Sequence, residues 1–217
     1  MAIAERRLRE RAERKEQIIA AAERVFFAKG FTATSMEQIA TEAEVSKGTL
    51  YLYFKNKDDL FIALSFGFLD HLCSRFEHIA GQGGPGLRLV ESMMRAYTEV
   101  VAERPQRFRN LAESLATGYA LDTSVPSMAA HHEMLGRLVG CLVSAIDCGK
   151  SDGSIRNDVD AKQVAGQVWG GLLGILLVDL NREEVLRRSA RSLDFSSLVP
   201  NYIELLCDGL APKGGGE

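Results

Sequence analysis

Apolar residues recur every three to four positions along nearly the whole chain, the signature of amphipathic helices. Ile18, Ile19, Ala22, Val25 and Phe26 predict a first helix from about Arg9 to Ala28, stopped by Lys29-Gly30. Thr34-Ser35-Met36-Glu37 reads as a capping box, with the Thr34 hydroxyl accepting from the backbone and Glu37 reaching back. A short helix to about Ala43 follows, with Met36, Ile39 and Ala40 inward. Glu44-Val45 then makes a turn, and Ser46 caps a second short helix from Lys47 to about Tyr53. Asn56 caps a long helix from Lys57 to Ile79, with Asp59 in the box position. Past the glycine-rich loop at 81–86, helices are expected at about Leu87–Glu103, Pro105–Ala120, Ser127–Cys148, Ala161–Leu180 (capped by Asp160) and Ser196–Gly209. Strand-like alternation with hairpin turn pairs is missing, so the fold class is all-α.

Two short capped helices joined by a turn of few residues have the shape of a helix-turn-helix, whose second helix can enter the DNA major groove. Such a helix must show small and polar residues outward at its start, and Ser46, Lys47, Gly48 and Thr49 do so. Gly48 inside a helix costs about 1 kcal/mol relative to alanine, so another demand placed it there: close approach of DNA or of a packed neighbour. Tyr51 and Tyr53 offer hydroxyls to phosphate, and Lys57 and the pair Thr34 and Ser35 stand at helix starts, where anions are favoured.

Composition narrows the alternatives. The chain has 217 residues, 46% hydrophobic and 25% charged, which is globular rather than disordered. The net charge of -3 argues against nucleic acid, but its distribution does not: residues 1–57 carry +3 and the remainder -6. No uninterrupted apolar run is long enough for a membrane span, the nearest being Val164 to Leu180, and no secretory signal opens the chain; a cytoplasmic protein without membrane contact is expected.

With those residues in view, the stretch Gly30-Phe31, Thr34-Ser35-Met36, Ile39-Ala40, Ala43, Val45 through Tyr51, Tyr53-Phe54, Lys57 and Leu60-Phe61 closely resembles the TetR family of transcription regulators, over about Arg14 to Ser74. One departure is Glu44, where the family usually has glycine; a left-handed conformation there costs a non-glycine residue about 1 kcal/mol. The resemblance implies an extension at 1–13, a three-helix helix-turn-helix domain at 14–56, a long helix linking it to an effector-binding and dimerisation domain at 57–211, and a disordered tail at 212–217. It also implies a homodimer on a palindromic operator, with repression relieved when an effector tilts the linking helix. The alternative is an activator or architectural DNA-binding protein without small-molecule control.

The remaining features are open to two readings each. Phe68, Met94, Tyr97, Phe108, Met134 and Trp169 line either an apolar or aromatic effector pocket or ordinary core. The stripe Val168, Leu172, Ile175 and Leu176, and the stripe containing Tyr202 and Leu205, form either a dimer interface, which the resemblance places on the last two long helices, or monomer core. Cys148-Gly149-Lys150-Ser151 ends like a phosphate loop but lacks the first glycine and a preceding strand. The four cysteines read as buried or half-buried thiols, and His71, His78, His131 and His132 as surface or half-buried residues rather than metal ligands. No nucleophile–base pair is apparent, so neither an enzyme, a metal nor a cofactor is expected.

Overall fold

The computed structural model describes residues 2–103, 105, 107–109, 124–188 and 194–212. By their contacts these form two units: residues up to Gly67 together with 124–132, and residues from Phe68 to 109 together with 133–212. The sequence expectation drew its boundary at 56/57 and made each part continuous.

In the first unit, α1 runs Ala2–Ala33, with a break at Gly30, whose φ of 77° suits only glycine. The charged stretch before Ile18 is helical throughout, helped by spacings such as Arg6–Glu10, which pair at 3.3 Å. α2 is Met36–Glu42, α3 Lys47–Tyr51 and α4 Lys57–Leu64. Ile18, Phe26, Ile39, Leu50, Phe54 and Leu60 are buried at their centre. The rings of Phe26, Phe31 and Phe61 meet one another at centroid distances of 4.7–5.6 Å.

Two local expectations are corrected. The α2 cap is Ser35, not Thr34: Ser35 Oγ accepts from the Gln38 backbone N–H at 3.3 Å, and Gln38 Oε1 accepts from the Ser35 N–H at 3.0 Å. Thr34 instead donates its hydroxyl to the Gly30 carbonyl at 2.8 Å, which satisfies an acceptor that the break in α1 leaves open. The helix expected from Lys57 to Ile79 is two helices, α4 and α5 (Phe66–Gln82), separated at Ser65. There the Ser65 backbone and hydroxyl both donate to Ile62 O, at 3.0 and 2.7 Å, so the side chain competes for a helix carbonyl.

Asp59 is 3% exposed and fills the box position differently from expectation. Its Oδ2 accepts from the Lys55 N–H at 2.8 Å, and its Oδ1 accepts from the Ser127 N–H at 3.0 Å. Ser127 lies in the first turn of α7 (Pro126–Asp152), which opens on a proline whose missing N–H is harmless there.

The second unit holds most of α5, α6 (Gly86–Glu103), the rest of α7, α8 (Ala161–Leu180), α9 (Arg182–Arg188) and α10 (Phe195–Leu210). Asp160 caps α8 as expected, accepting from the Gln163 N–H at 2.8 Å. Most of the helix expected at Pro105–Ala120, and the tail beyond Pro212, lie outside the described residues. α8 packs against α6 and α10. By length and composition alone α8 would suit a membrane crossing, although glycines and Gln167 interrupt its apolar run.

Two glycines set helix distances in this unit. A Cβ on Gly86 would lie 2.1 Å from Gly149 N and 2.4 Å from Ala145 O, so α6 and α7 touch backbone to backbone. A Cβ on Gly171 would lie 1.9 Å from the Tyr202 hydroxyl, which donates to Gln167 O at 2.9 Å.

Candidate nucleic-acid interface

The turn between α2 and α3 is built around Glu44, whose φ is 53°. The chain reverses within Ala43, Glu44 and Val45, with Val45 N–H donating to Ala40 O at 3.0 Å. A left-handed non-glycine residue costs about 1–2 kcal/mol, and the burial of Ile39, Ala40 and Leu50 on either side holds it in place.

Beyond the turn, Ser46 caps α3: its Oγ accepts from the Thr49 N–H at 3.0 Å and meets Thr49 Oγ1 at 2.8 Å. Both hydroxyls therefore already have local partners. Lys47, Gly48 and Tyr51 are exposed, while Leu50 on the opposite side is fully buried. Lys47 Nζ bonds Glu37 Oε1 of α2 at 2.5 Å; the bond raises the lysine's pKa and lowers the glutamate's. Both groups are exposed, so the pair is an exchangeable one, open to replacement by a phosphate or a base. Sequence spacing could not have found Glu37, because it acts across two helices.

Gly48 resolves one ambiguity. A Cβ there would meet only Ser46 Oγ, at 3.8 Å, an ordinary contact. No packed neighbour demands the glycine, which leaves the approach of a ligand. Gly48→Ala is expected to stabilise the chain by up to about 1 kcal/mol in thermal melts while weakening duplex binding. A variant that gained stability and bound equally well would remove the argument for close approach.

The expected backbone contacts are placed differently from one another. Ser35 is exposed at the start of α2, but Thr34 is 4% exposed and its hydroxyl is committed to Gly30. Tyr53 is half-buried, with the Arg11 guanidinium 5.9 Å above its ring. Lys57 turns inward: its ammonium donates to Phe31 O at 2.8 Å and Thr34 O at 2.9 Å, and lies 4.4 Å from the Phe31 ring centre. The structure thus gives Lys57 a part in closing the end of α1, beside its expected place near phosphate. Lys57→Ala is expected to cost roughly 1.5–3 kcal/mol in urea unfolding, the range for a charged hydrogen bond. The slope of duplex affinity against salt should stay unchanged where closing α1 is its whole role, and a shallower slope at unchanged stability would show the phosphate contact.

In the second unit, Phe68, Met94, Tyr97 and Phe108 are at most 2% exposed, with Met134 and Trp169 packed against them. Tyr97 sits among Phe68, Phe108 and Trp169 at centroid distances of 5.5–6.3 Å. Its buried hydroxyl finds no hydrogen-bond partner among the described residues, and burial pushes its pKa well up.

Of the stripe read as interface or core, Val168, Leu172 and Leu176 are at most 5% exposed within a single chain, so they are core. Ile175 and Tyr202 are half-buried and Leu205 is 72% exposed. The outward face of α8 instead shows Gly166, Gly170, Gly174 and Val178.

Some side features also resolve. One serine–histidine contact is present: Ser65 Oγ lies 3.0 Å from His131 Nδ1. The Ser65 hydroxyl also lies within donating distance of Ile62 O, at 2.7 Å. Cys148 is exposed rather than buried, and the other three cysteines are buried or half-buried; all four are free. Gly149 serves the contact with Gly86, and Lys150 Nζ donates to Val159 O at 3.0 Å, so these residues cradle no phosphate.

Known proteins share this arrangement. Residues 18–64 match the family of bacterial regulatory proteins, tetR family. The regulator YerO of Bacillus subtilis is 47% identical over 51 residues, 24% of this chain and 18% of its own length. The activator FasR of Mycolicibacterium smegmatis is 23% identical over 93% of this chain and 84% of its own. In structure, the regulator FadR of Bacillus subtilis, solved with stearoyl-CoA, superposes with a TM-score of 0.68 at 23% identity, covering 90% of this chain and 98% of its own. That likeness concerns the fold, whereas the 47% identity extends over only 51 residues. Through residues 18–64 the chain is similar to the tetR family of bacterial regulatory proteins.

Proposed function

We propose that the protein is a cytoplasmic, homodimeric regulator of transcription that occupies a palindromic duplex site and is released from it by a small apolar or aromatic effector. The observation that carries the DNA-binding part is α3 itself. It is anchored inward by Leu50, capped by Ser46, and presents Lys47, Gly48 and Tyr51 outward with no internal reason for the glycine. Ser46 and Thr49 set the helix start, Ser35 and Tyr53 lie beside it, and Thr34 and Lys57 hold the frame.

The effector reading rests on the aromatic cluster around Tyr97. An apolar ligand entering there would replace ring contacts, and an acceptor on it would satisfy the unpartnered hydroxyl. FadR, of the same fold, holds stearoyl-CoA, which fits a ligand with a long apolar body. The dimer reading rests on the glycine face of α8 and on Leu205, apolar surface left exposed in the single chain. The match with FasR, an activator by name, supports a second reading in which the bound protein activates.

Selection of bound duplexes from a random pool by the purified protein tests the proposal. A palindromic consensus supports a two-fold reader, and recovery of no consensus would sink specific regulation. Thermal shifts with apolar acyl and aromatic compounds separate a ligand-responsive regulator from one without an effector.

A further inference from the structure

The first turns of α1 carry a segregated charge pattern. Arg7, Arg11, Arg14 and Lys15 follow the spacing i, i+4, i+7, i+8, which sets them on one face of the helix. The same face continues into Ile18, Ala22 and Val25, which are buried. The seam that packs α1 onto its unit thus turns basic where it runs past the body. Glu5, Glu13 and Glu16 fall on the opposite side, and Glu10 is paired with Arg6. Arg7, Arg11 and Arg14 are exposed and, among the described residues, make no ion pair.

The stripe also has a defined neighbour. Arg11 stacks over Tyr53 at 5.9 Å, and Lys15 lies over Phe54 at 5.7 Å and Phe66 at 5.9 Å. Tyr53 and Phe54 directly follow α3, and their N–H groups both donate to Leu50 O at 3.1 Å. The basic stripe therefore ends against the last turn of the helix-turn-helix.

We infer that this extension of α1 is a second DNA-contacting element, which lays its basic stripe along the phosphates flanking the site read by α3. The inference rests on the proposed DNA binding and adds to it a surface outside the helix-turn-helix. The nine residues of helix from Arg7 to Lys15 span about 12 Å, which matches roughly three successive phosphates of one strand. On the far side Glu5, Glu13 and Glu16 stand among Arg6 and Arg9, so that face is less basic than the stripe and the helix has a preferred side toward the polyanion.

The test uses the full chain and a duplex recovered from the random pool, titrated between 50 and 200 mM salt. Replacing Arg7, Arg11 and Arg14 together by glutamine is expected to make the salt slope shallower by about 2–3 units. The variant should then lose roughly 40-fold less affinity than the unaltered chain across that range. The triple lysine variant, which keeps the charge but loses the guanidinium stacking on Tyr53, should retain the slope. Arg6→Gln with Arg9→Gln, off the stripe, should change it by less than about 1 unit. Thermal melts of each variant report folding independently.

An unchanged slope in the glutamine variant overturns the inference while leaving DNA binding by α3 intact. An equal effect from the off-stripe variant overturns it too, because net charge alone would then explain the result. Failure of the unaltered chain to bind any duplex overturns the proposed function itself.

Discussion

Replacing Lys47 and Tyr51 together by alanine is expected to weaken binding to a selected duplex by roughly 30-fold to 10⁴-fold, with almost no change in stability. The two residues are i and i+4 on α3 and share its outward face. The Lys47 side chain is 54% exposed, and Tyr51 is 46% exposed. Neither contributes to the core, so truncation should shift unfolding by no more than about 0.5 kcal/mol. In a groove complex each would contribute on the order of 1–3 kcal/mol, the range for a good base-edge contact. The Lys47–Glu37 pair is given up, and as an exposed pair it contributes little. Fluorescence anisotropy with the labelled duplex, set beside a thermal melt, reads both quantities. Undiminished binding in the double variant would move the recognition surface off α3.

The second large effect belongs to stability. Gly86→Ala is expected to destabilise the chain by about 3 kcal/mol or more, the upper end of overpacking costs. The added methyl would stand 2.1 Å from Gly149 N, 2.3 Å from Gly149 Cα and 2.4 Å from Ala145 O, all backbone atoms of α7 that no rotamer change can move. α6 and α7 would have to part. Parting them also strains the bonds that Gly86 N–H and Leu87 N–H donate to Asp152 Oδ2 at 2.8 Å and Ser154 Oγ at 3.1 Å. Gly149→Ala is the built-in comparison, because the atoms nearest its methyl would belong to the Ile155 side chain, at 2.6 Å, rather than to backbone. It should cost clearly less in urea unfolding. Equal losses would mean that the helices separate easily and that the contact is not a fixed distance.

Features set by hydrogen bonds a few residues apart were the legible ones. Ser46, Asn56 and Asp160 each cap the helix their chemistry announces, because an N-cap oxygen bonds an N–H only three residues on. The slip from Thr34 to Ser35 has the same origin. Two hydroxyl residues stand side by side, each has an acid or amide three residues later, and the choice depends on Gly30, where the break in α1 leaves a carbonyl for Thr34. Glu44 is marked as a left-handed position only by the resemblance, since the family usually has glycine there, and its φ of 53° agrees.

Long-range partners were not legible. The target of Lys57 is a pair of carbonyls 23 and 26 residues away. The spacing of Val168, Leu172 and Leu176 is the same whether a helix buries them in its own core or against a second copy, so only the packed chain distinguishes the two. The break at Ser65 depends on a hydroxyl choosing its own helix's carbonyl, a choice that propensity alone does not reveal.

The two oxygens of Asp59 have a consequence for how the protein can be taken apart. One serves a residue four positions away and the other a residue 68 positions away, and Ser65 is likewise met by a histidine 66 positions on. The unit that carries α3 is therefore discontinuous in the chain, although the stretch that matches the family ends at residue 64. Excised at Gly67, it would carry a buried carboxylate with one acceptor empty. Left whole, it is finished only after the intervening polymer has closed on itself, at an entropic cost on the order of 4 kcal/mol. This unit is thus a closed loop of sequence rather than a detachable cassette, and it inherits its completeness from residues translated long after α3.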